Sequence, residues 1–323
     1  MRKKFWLSLT AVMMIGASCA IAAEESFPSR TITFVHGFGS GGGIDILARM
    51  ALMKARPLLK VPAIVSGMPG GATVEAMKYV QKQPADGYTV FVATPTSIFI
   101  NPLCGRVDIK PEDWQPILRA HIDVSSWMVT YDSPFKKWDD VLKFAKENPG
   151  KLKVGIMGAL SVDAIASAAI ANQAGIEVKM IPFDGGGEGM AALLGGHVDV
   201  LFEEPGVVMQ LVESKKVRPL ILMSDKRIER FADVECVGDF GYKGIPLLWR
   251  GFFVKVGTPE DRVAVIEQAL TKSMQSELYK AYENESLLRL YPGGFVGSKE
   301  FAEAMRTEVN SYADVMKQLG YMK

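Results

Sequence analysis

The chain has 323 residues, of which 48% are apolar and 23% are charged, and these values are typical of globular proteins rather than of disordered or fibrous ones. A single hydrophobic core usually stops growing near this length, so two domains are expected. The formal net charge of +1 excludes the strong basic footprint that nucleic-acid binding requires.

The N-terminus has the three parts of a secretory signal peptide. Arg2, Lys3 and Lys4 are followed by an apolar stretch over residues 5–17 and by small residues around position 22. We predict that residues 1–22 are removed, which leaves 34 Lys and Arg against 36 Asp and Glu. The alternatives are an uncleaved N-terminal membrane anchor and a lipoprotein anchor at Cys19.

Strands and helices alternate over the first third of the mature chain. Strands are predicted at residues 32–35, 63–65 and 88–93. Apolar residues at helical spacing predict a helix after Gly43 and another after Gly71. This alternation predicts an α/β fold with largely parallel strands.

The middle of the chain repeats the pattern without a sequence repeat. It predicts strands at residues 154–156, 179–182, 198–202 and 218–223, helices at 161–174 and 188–194, and a further helix beginning at Pro205. We see no low-complexity linker, so two lobes joined by strands are expected.

The C-terminal part begins with a strand predicted at residues 251–254. Thr258 and Pro259 have the chemistry of a helix start. The last helix has an apolar stripe that indicates core packing, made of Phe301, Met305, Val309, Tyr312, Met316 and Leu319.

The glycine loop after the first strand is the strongest chemical signal. Gly41, Gly42 and Gly43 would leave backbone N–H groups free at the positive end of a helix dipole, which binds anions without a cationic side chain. Residues 37–42 also match the dinucleotide pattern G-x-G-x-x-G, but strand 63–65 leads into Ser66 and not into an acidic residue for the ribose. The loop therefore predicts an anion site, with a plain connecting turn as the alternative.

Signs of catalysis are few. His36, His121 and His197 lack metal-ligand spacing, and the sequence has no G-x-S-x-G nucleophile motif. Neither a metal nor a cofactor is expected. Glu203 and Glu204 are adjacent on an extended segment, where side chains point apart, so they are interpreted as a rim feature, with a functional pair as the alternative. Cys104 and Cys236 are either free or paired with each other.

Six short segments form a pattern that is specific only as a set. They are Phe27-Pro28-Ser29-Arg30, Gly41-Gly42-Gly43-Ile44-Asp45-Ile46-Leu47-Ala48-Arg49, Pro84-Ala85-Asp86-Gly87-Tyr88-Thr89, Ile100-Asn101-Pro102, Asn148-Pro149-Gly150-Lys151-Leu152 and Leu193-Leu194-Gly195-Gly196-His197-Val198-Asp199. With these segments the mature chain resembles the extracytoplasmic solute-binding proteins of tripartite tricarboxylate transporters, also called the Bug family.

The resemblance implies a type II periplasmic-binding fold, with no catalysis and with a ligand carboxylate held by the first glycine loop. It implies that a second loop closes over the ligand from the other lobe. The ligand-binding residues implied in this way are Phe38, Gly39, Ser40, Gly41, Gly42, Gly43, Asp45, Thr94, Thr96, Gly158, Ser161, Val162, Asp163, Phe183 and Asp184. We predict Glu203 as a further ligand-binding residue beside them.

Both loops depart from the family pattern. Ile44 stands where a Thr is usual, and Val162 and Asp163 replace hydroxyl residues in the second loop. A buried carboxylate facing an anion is costly unless a cation lies between them. This suggests a ligand that carries an amine or several hydroxyls besides, or instead of, a second carboxylate. Alternatively, Asp163 only favours the dipole of its helix.

We therefore predict a periplasmic receptor with residues 23–124 plus 247–323 as the first lobe and 125–246 as the second. The lobes would close about crossing segments near Ser125-Ser126 and Trp249-Arg250. The expected partners are a small organic acid or related metabolite and the large and small membrane subunits of a tripartite transporter, with the receptor itself a monomer. A binding protein for a sensor kinase and a secreted enzyme on the same scaffold are the rival functions.

Overall fold

A computed structural model describes residues 26–288 and 294–322, so the predicted signal peptide at residues 1–22 lies outside the described part of the chain. The strands are β1 Ile32–His36, β2 Ala63–Gly67, β3 Thr89–Ala93, β4 Trp114–Ile122, β5 Ser126–Thr130, β6 Leu152–Met157, β7 Val178–Phe183, β8 Val200–Glu203, β9 Val217–Leu222, β10 Glu235–Cys236, β11 Trp249–Lys255 and β12 Val296–Gly297.

The helices cover both faces of the sheets. They are α1 Gly43–Leu59, α2 Val74–Lys82, α3 Asn101–Leu103, α4 Trp138–Glu147, α5 Val162–Ala174, α6 Gly186–Leu194, α7 Met209–Glu213, α8 Glu260–Met274, α9 Glu277–Glu285 and α10 Ser298–Gln318. A π-helical turn spans Thr96–Ile100, and 3-10 turns span Pro111–Asp113, Glu229–Phe231 and Val237–Phe240.

The described strands form two six-stranded sheets, one for each lobe, with the same plan. The first has the order β12-β4-β11-β3-β1-β2 and the second the order β10-β9-β5-β8-β6-β7. Three neighbouring strands in each, β2-β1-β3 and β7-β6-β8, are parallel, and an antiparallel strand follows each set. The predicted α/β fold with two lobes is therefore confirmed, although the sheets are mixed.

Each sheet has its own apolar core. Helix α1 buries Leu47, Ala48, Ala51 and Leu52 against the first sheet, because residues at this spacing share one face of a helix. Trp127 and Trp138 lie in the core of the second sheet. A further cluster crosses between the lobes, since Val162 packs with Ile98 and Phe99.

The chain passes between the sheets at residues 123–125 and returns between β10 and β11. The two crossing segments are hydrogen-bonded to each other, because the amide of Asp123 donates to the carbonyl of Leu248 at 2.7 Å. The amide of Met223 donates to the carbonyl of Ser125 at 2.8 Å, which ties the first crossing to β9. The lobe boundaries at 124, 125, 246 and 247 remain predictions.

Two helix starts differ from the prediction. Pro205 lies in a turn, and the helix that follows begins only at Met209. Pro259 is the residue before the first turn of α8, so Thr258 does not cap that helix and instead donates its hydroxyl to the carbonyl of Lys255 at 2.7 Å. In the described part of the chain Cys104 and Cys236 are both free thiols.

Candidate functional site

A cavity of about 380 Å³ lies between the lobes, at the carboxyl ends of the parallel strands of both sheets. Open α/β sheets bind ligands at these strand ends. The cavity is lined by Phe38, Gly39, Ser40, Gly42, Gly43, Ile44, Pro69, Gly70, Thr94, Thr96, Met157, Asp163, Asp184, Gly185, Gly186, Gly187, Glu188, Glu203, Glu204, Leu248 and Arg250.

The first wall of the cavity is the glycine loop and the beginning of α1. Gly42 precedes the helix and has no side chain with which to cap it. The amides of the first turn have no partner within the helix, so they are available to a ligand. The hydroxyl of Thr94, 3% exposed, also lines this wall and has no hydrogen-bond partner among the described residues.

Asp45 stabilises the conformation of the glycine loop through hydrogen bonds. Its carboxylate accepts the amide of Gly41 at 3.0 Å and the guanidinium Nε of Arg49 at 3.0 Å, and it lies 3.1 Å from Nε2 of His36. Burial opposes ionisation, yet these hydrogen bonds keep the pKa of Asp45 below its ordinary value. Asp45 was predicted to bind ligand, but it lies outside the lining of the cavity.

Arg250 is a cation directly behind the glycine loop, and sequence reasoning had placed it only near a crossing segment. Its side chain is 3% exposed; Nε lies 2.8 Å from Asp123 and Nη2 lies 2.8 Å from Glu204. Its third nitrogen, Nη1, has no acceptor in residues 26–288 and 294–322. A Cβ atom at position 43 would lie 2.0 Å from Nη1, so the guanidinium fits there only because Gly43 has no side chain.

The second wall of the cavity is acidic. Asp163 stands in the first turn of α5 and accepts the amide of Met157 at 3.0 Å. Glu203 ends β8 and accepts the amide of Glu204 at 3.0 Å. The three carboxyl groups are 8%, 6% and 8% exposed in the order Asp163, Glu203 and Glu204. The interpretation of the glutamate pair as a rim feature is therefore wrong, because the strand ends between them and both side chains line the buried cavity.

Burial makes these carboxyl groups hard to ionise. Burial, with the neighbouring charge of Glu204, raises the pKa of Asp163 to about 8. Burial and the charge of Glu204 also raise the pKa of Glu203 well above its ordinary value. Burial raises the pKa of Glu204 to about 7, although Arg250 acts in the opposite direction.

The predicted ligand-binding residues divide into two groups. Ten of them line the cavity, namely Phe38, Gly39, Ser40, Gly42, Gly43, Thr94, Thr96, Asp163, Asp184 and Glu203. Outside the lining lie Gly41, Asp45, Gly158, Ser161, Val162 and Phe183.

Four of the residues outside the lining, Gly158, Ser161, Val162 and Phe183, support the second loop. Ser161 caps α5 by accepting the amide of Ala164 at 3.1 Å, and its hydroxyl donates to the carbonyl of Gly158 at 3.0 Å. The amide of Val162 donates to Oγ1 of Thr96 at 3.2 Å, which joins the two lobes. The carbonyl of Phe183 accepts the amide of Gly158 at 3.0 Å. This loop therefore supports the cavity through its backbone.

Arg250 could have been noticed in the sequence. It stands within the apolar run Leu247-Leu248-Trp249-Arg250-Gly251-Phe252-Phe253-Val254, where an arginine in a buried strand needs a partner or a function. In the described residues, no group of three His, Cys, Asp or Glu side chains could hold a metal ion. Nor is any helix of the described chain both long and apolar enough to cross a membrane.

Comparison with known proteins agrees with this architecture. Residues 47–319 match the sequence profile of the tripartite tricarboxylate transporter family receptor. A relative from Cupriavidus necator, named the UPF0065 protein in the gbd 5' region, is 29% identical over 322 residues, covering 97% of this chain and 95% of its own. The family resemblance seen in the sequence is confirmed.

Two solved structures show the same fold. A TctC solute-binding protein from Polaromonas is 26% identical, with a TM-score of 0.67 over 91% of this chain and 100% of its own. MatC from Rhodopseudomonas palustris, solved with bound malate, is 21% identical, with a TM-score of 0.81 over 90% of this chain and 99% of its own.

Proposed function

Because the chain belongs to the tripartite tricarboxylate transporter receptor family, we propose that it is an extracytoplasmic receptor for a small carboxylate-bearing metabolite. The ligand binds in the cavity between the lobes and is delivered to the large and small membrane subunits of a tripartite transporter. Signal peptide cleavage releases the receptor into the periplasm, where it acts as a monomer. The malate bound to MatC supports a carboxylate ligand on this fold.

One observation carries this proposal: the N-terminus of α1 and the side chain of Arg250 both line the cavity, and Nη1 of Arg250 has no hydrogen-bond acceptor among the described residues. Amides at a helix N-terminus and a guanidinium both donate hydrogen bonds to a carboxylate. Gly43 brings the helix and the guanidinium together, because any side chain there would collide with Arg250. These donors support the proposal that one carboxylate of the ligand binds at the first wall.

Lobe closure provides the mechanism. The cavity walls come from both sheets, so a ligand that contacts both walls favours the closed conformation over the open one. In this proposal residues 23–124 plus 247–323 move against residues 125–246. The crossing segment at residues 123–125 and its partner before β11 act as the hinge.

Substitution of Arg250→Lys tests the carboxylate site. Lysine keeps the positive charge but lacks the planar fork that reaches Asp123 and Glu204 while leaving a third nitrogen free. We expect the affinity for the carboxylate ligand to fall by at least about tenfold, or roughly 1.4 kcal/mol, in calorimetric titration. The matched control is Arg306→Lys on the exposed face of α10, which should leave the affinity unchanged.

The ligand itself is found by thermal-shift screening of organic acids, amino acids and sugar acids, because a ligand that binds only the folded protein raises its melting temperature. Failure of every carboxylate to shift a folded sample would refute the proposal. Cells that lack either membrane subunit should lose uptake of the ligand; unchanged uptake would remove the transporter from the proposal.

A further inference from the structure

The buried acidic side chains around the cavity outnumber the basic ones. Asp123 and Glu204 share the guanidinium of Arg250, and Asp123 also lies 3.0 Å from Nε2 of His121. Asp163 and Glu203 form no ion pair with any Lys, Arg or His side chain in the described parts of the chain. Two carboxyl groups of the second wall thus face the cavity without a cationic partner.

We propose that Asp163 and Glu203 bind an ammonium group of the ligand, whose carboxylate lies against the N-terminus of α1 and Nη1 of Arg250. The ligand is then an amino carboxylate. This inference rests on the proposed function, since it places the carboxylate in the site described above and adds a second, cationic end. The inference gives a binding role to Asp163, the residue at which the second loop departs from the family pattern.

The geometry prepares both carboxyl groups to ionise when a cation arrives. Asp163 lies in the first turn of α5, where the helix dipole favours negative charge. Oε2 of Glu203 lies against the start of α6, because it would be 2.6 Å from a Cβ atom at Gly186. Buried carboxylates are costly when unpaired, so an ammonium ion that enters the cavity gains the two partners that the protein leaves open.

The opposite wall points to the other end of the ligand. Arg250 is the charged side chain of the first wall, and its Nη1 has no acceptor among the residues that the structure describes. The buried hydroxyl of Thr94 likewise lacks a partner there. These are two donors, both buried and both in the lining, that a carboxylate would satisfy. A molecule with one negative and one positive end matches the two walls.

Proton release distinguishes an ammonium group from a second acid. The charged and titratable groups near Asp163 and Glu203 are Glu204, Arg250 and Tyr312, with Asp123 beside Glu204. Asp184 and Glu188 are exposed at the rim of the cavity. Burial raises the pKa of Asp163 to about 8, so this group is protonated at pH 7 without ligand. An ammonium ion would displace that proton, so its affinity would rise between pH 5 and pH 8. A second carboxylate would retain the proton, so its affinity would stay level over this range and fall only as the pH rises through about 8.

The test is calorimetric titration of the full mature protein with probes of matched length. These are glutarate, 4-aminobutyrate and n-butylamine, with succinate, β-alanine and n-propylamine, and the twenty α-amino acids. We expect an amino carboxylate to bind at least about tenfold tighter than the diacid of the same chain length, with protons released in two buffers of different ionisation enthalpy.

Two variants locate the ammonium group. Asp163→Asn and Glu203→Gln should each reduce the preference for the amino carboxylate by about tenfold and leave diacid binding equal or stronger. Glu177→Gln removes one exposed carboxylate of the same lobe outside the cavity and should change neither. Melting temperatures verify that each variant is folded.

The outcomes separate this inference from the proposed function. Diacids, or polyols bearing one carboxylate, that bind as well as the amino carboxylates would overturn the ammonium site and leave the carboxylate receptor standing. Equal binding of the amines without a carboxylate would support the ammonium site and contradict the carboxylate site. Binding of Ca²⁺ or Mg²⁺ that is lost in both variants would overturn the inference in favour of a metal ion.

Discussion

Asp163 links the charge of a single residue to the stability of the ligand-free protein. Its ordinary pKa is 3.8, and burial raises that of the folded protein to about 8. Between these values the folded chain holds a proton that the unfolded chain has lost. The stabilising contribution of this proton is complete below about pH 4 and is lost as the pH rises through about 8, at about 1.4 kcal/mol for each pH unit.

Asp163→Asn should therefore flatten the pH dependence of stability. We expect the ligand-free variant to match the wild type near pH 4 and to become progressively more stable than the wild type towards pH 8, because asparagine has no proton to lose. Denaturant unfolding at several pH values measures the difference. Parallel curves for the two proteins would show that Asp163 is ionised beside a cation even without ligand. The exposed Glu177→Gln variant serves as the control.

The sequence predicted the chemistry of the first wall better than that of the second. The glycine loop is local, so three successive glycines before a helix were enough to predict an anion site. Arg250 and Glu204 are 46 residues apart in the chain and meet only in the fold. Glu203 was predicted to bind ligand, but its burial depends on where β8 ends, and the local sequence pattern does not define that point.

At the scale of elements, most of the α/β units were predicted, but strands β4 and β5 and helix α4 were not. Strand β4 contains Pro116, Arg119 and His121, which do not resemble a buried strand. Arg119 is nonetheless buried, because its Nη1 donates to Glu308 at 2.8 Å and its Nε donates to the carbonyl of Gly294 at 3.0 Å. These partners of Arg119 lie 189 and 175 residues away in the sequence. A prediction from the residues near Arg119 therefore cannot find the groups that stabilise it in a buried strand.

Helix α5 offers a test at the same scale, because the capping residue Ser161 and the acidic residue Asp163 belong to the same first turn. Ser161→Ala removes the hydroxyl that accepts the amide of Ala164, and we expect a loss of about 1 kcal/mol of unfolding free energy. Ligand affinity should fall as well, since this turn carries Asp163 and the amide of Val162 that reaches Thr96.

Ser276→Ala is the matched control for that helix cap. Ser276 caps α9 in the same way, by accepting the amide of Tyr279 at 3.3 Å, and Ser276 lies outside the lining of the cavity. The two variants should lose similar unfolding free energy in denaturant, but only Ser161→Ala should bind ligand more weakly. Equal affinities would mean that the first turn of α5 does not depend on its cap for holding Asp163.

At the scale of the whole molecule, two sheets of the same plan meet across the cavity with opposite chemical character. The glycine loop after β1 corresponds to the loop after β6, and Thr94 after β3 corresponds to Glu204 after β8. The glycine loop and Thr94 belong to the first wall, which offers amides and hydroxyls. The loop after β6 and Glu204 belong to the second wall, which is acidic. Sequence reasoning detected no repeat because topology is preserved while the residues differ. Closure thus brings unlike surfaces together around a ligand.

Gly206 marks a point where the two lobes touch away from the cavity. A Cβ atom at this position would lie 1.8 Å from the carbonyl oxygen of Ser286, which follows α9 on the other lobe. The carbonyl group of Ser286 belongs to the backbone and cannot move aside as a flexible side chain would. The methyl group of Gly206→Ala should therefore hold the two lobes apart. A collision of this kind costs about 1–3 kcal/mol, and that cost falls on the closed state.

We expect Gly206→Ala to lower ligand affinity by about tenfold or more, because ligand binding must then overcome the added cost of closure. Small-angle scattering should show a larger radius of gyration than for the wild type at subsaturating ligand and the same compact form at saturation. Ser286→Ala keeps the carbonyl oxygen and should behave as the wild type. Unchanged affinity and scattering in Gly206→Ala would mean that the bound state does not use the lobe contact at Ser286, and that the lobes close along a different path.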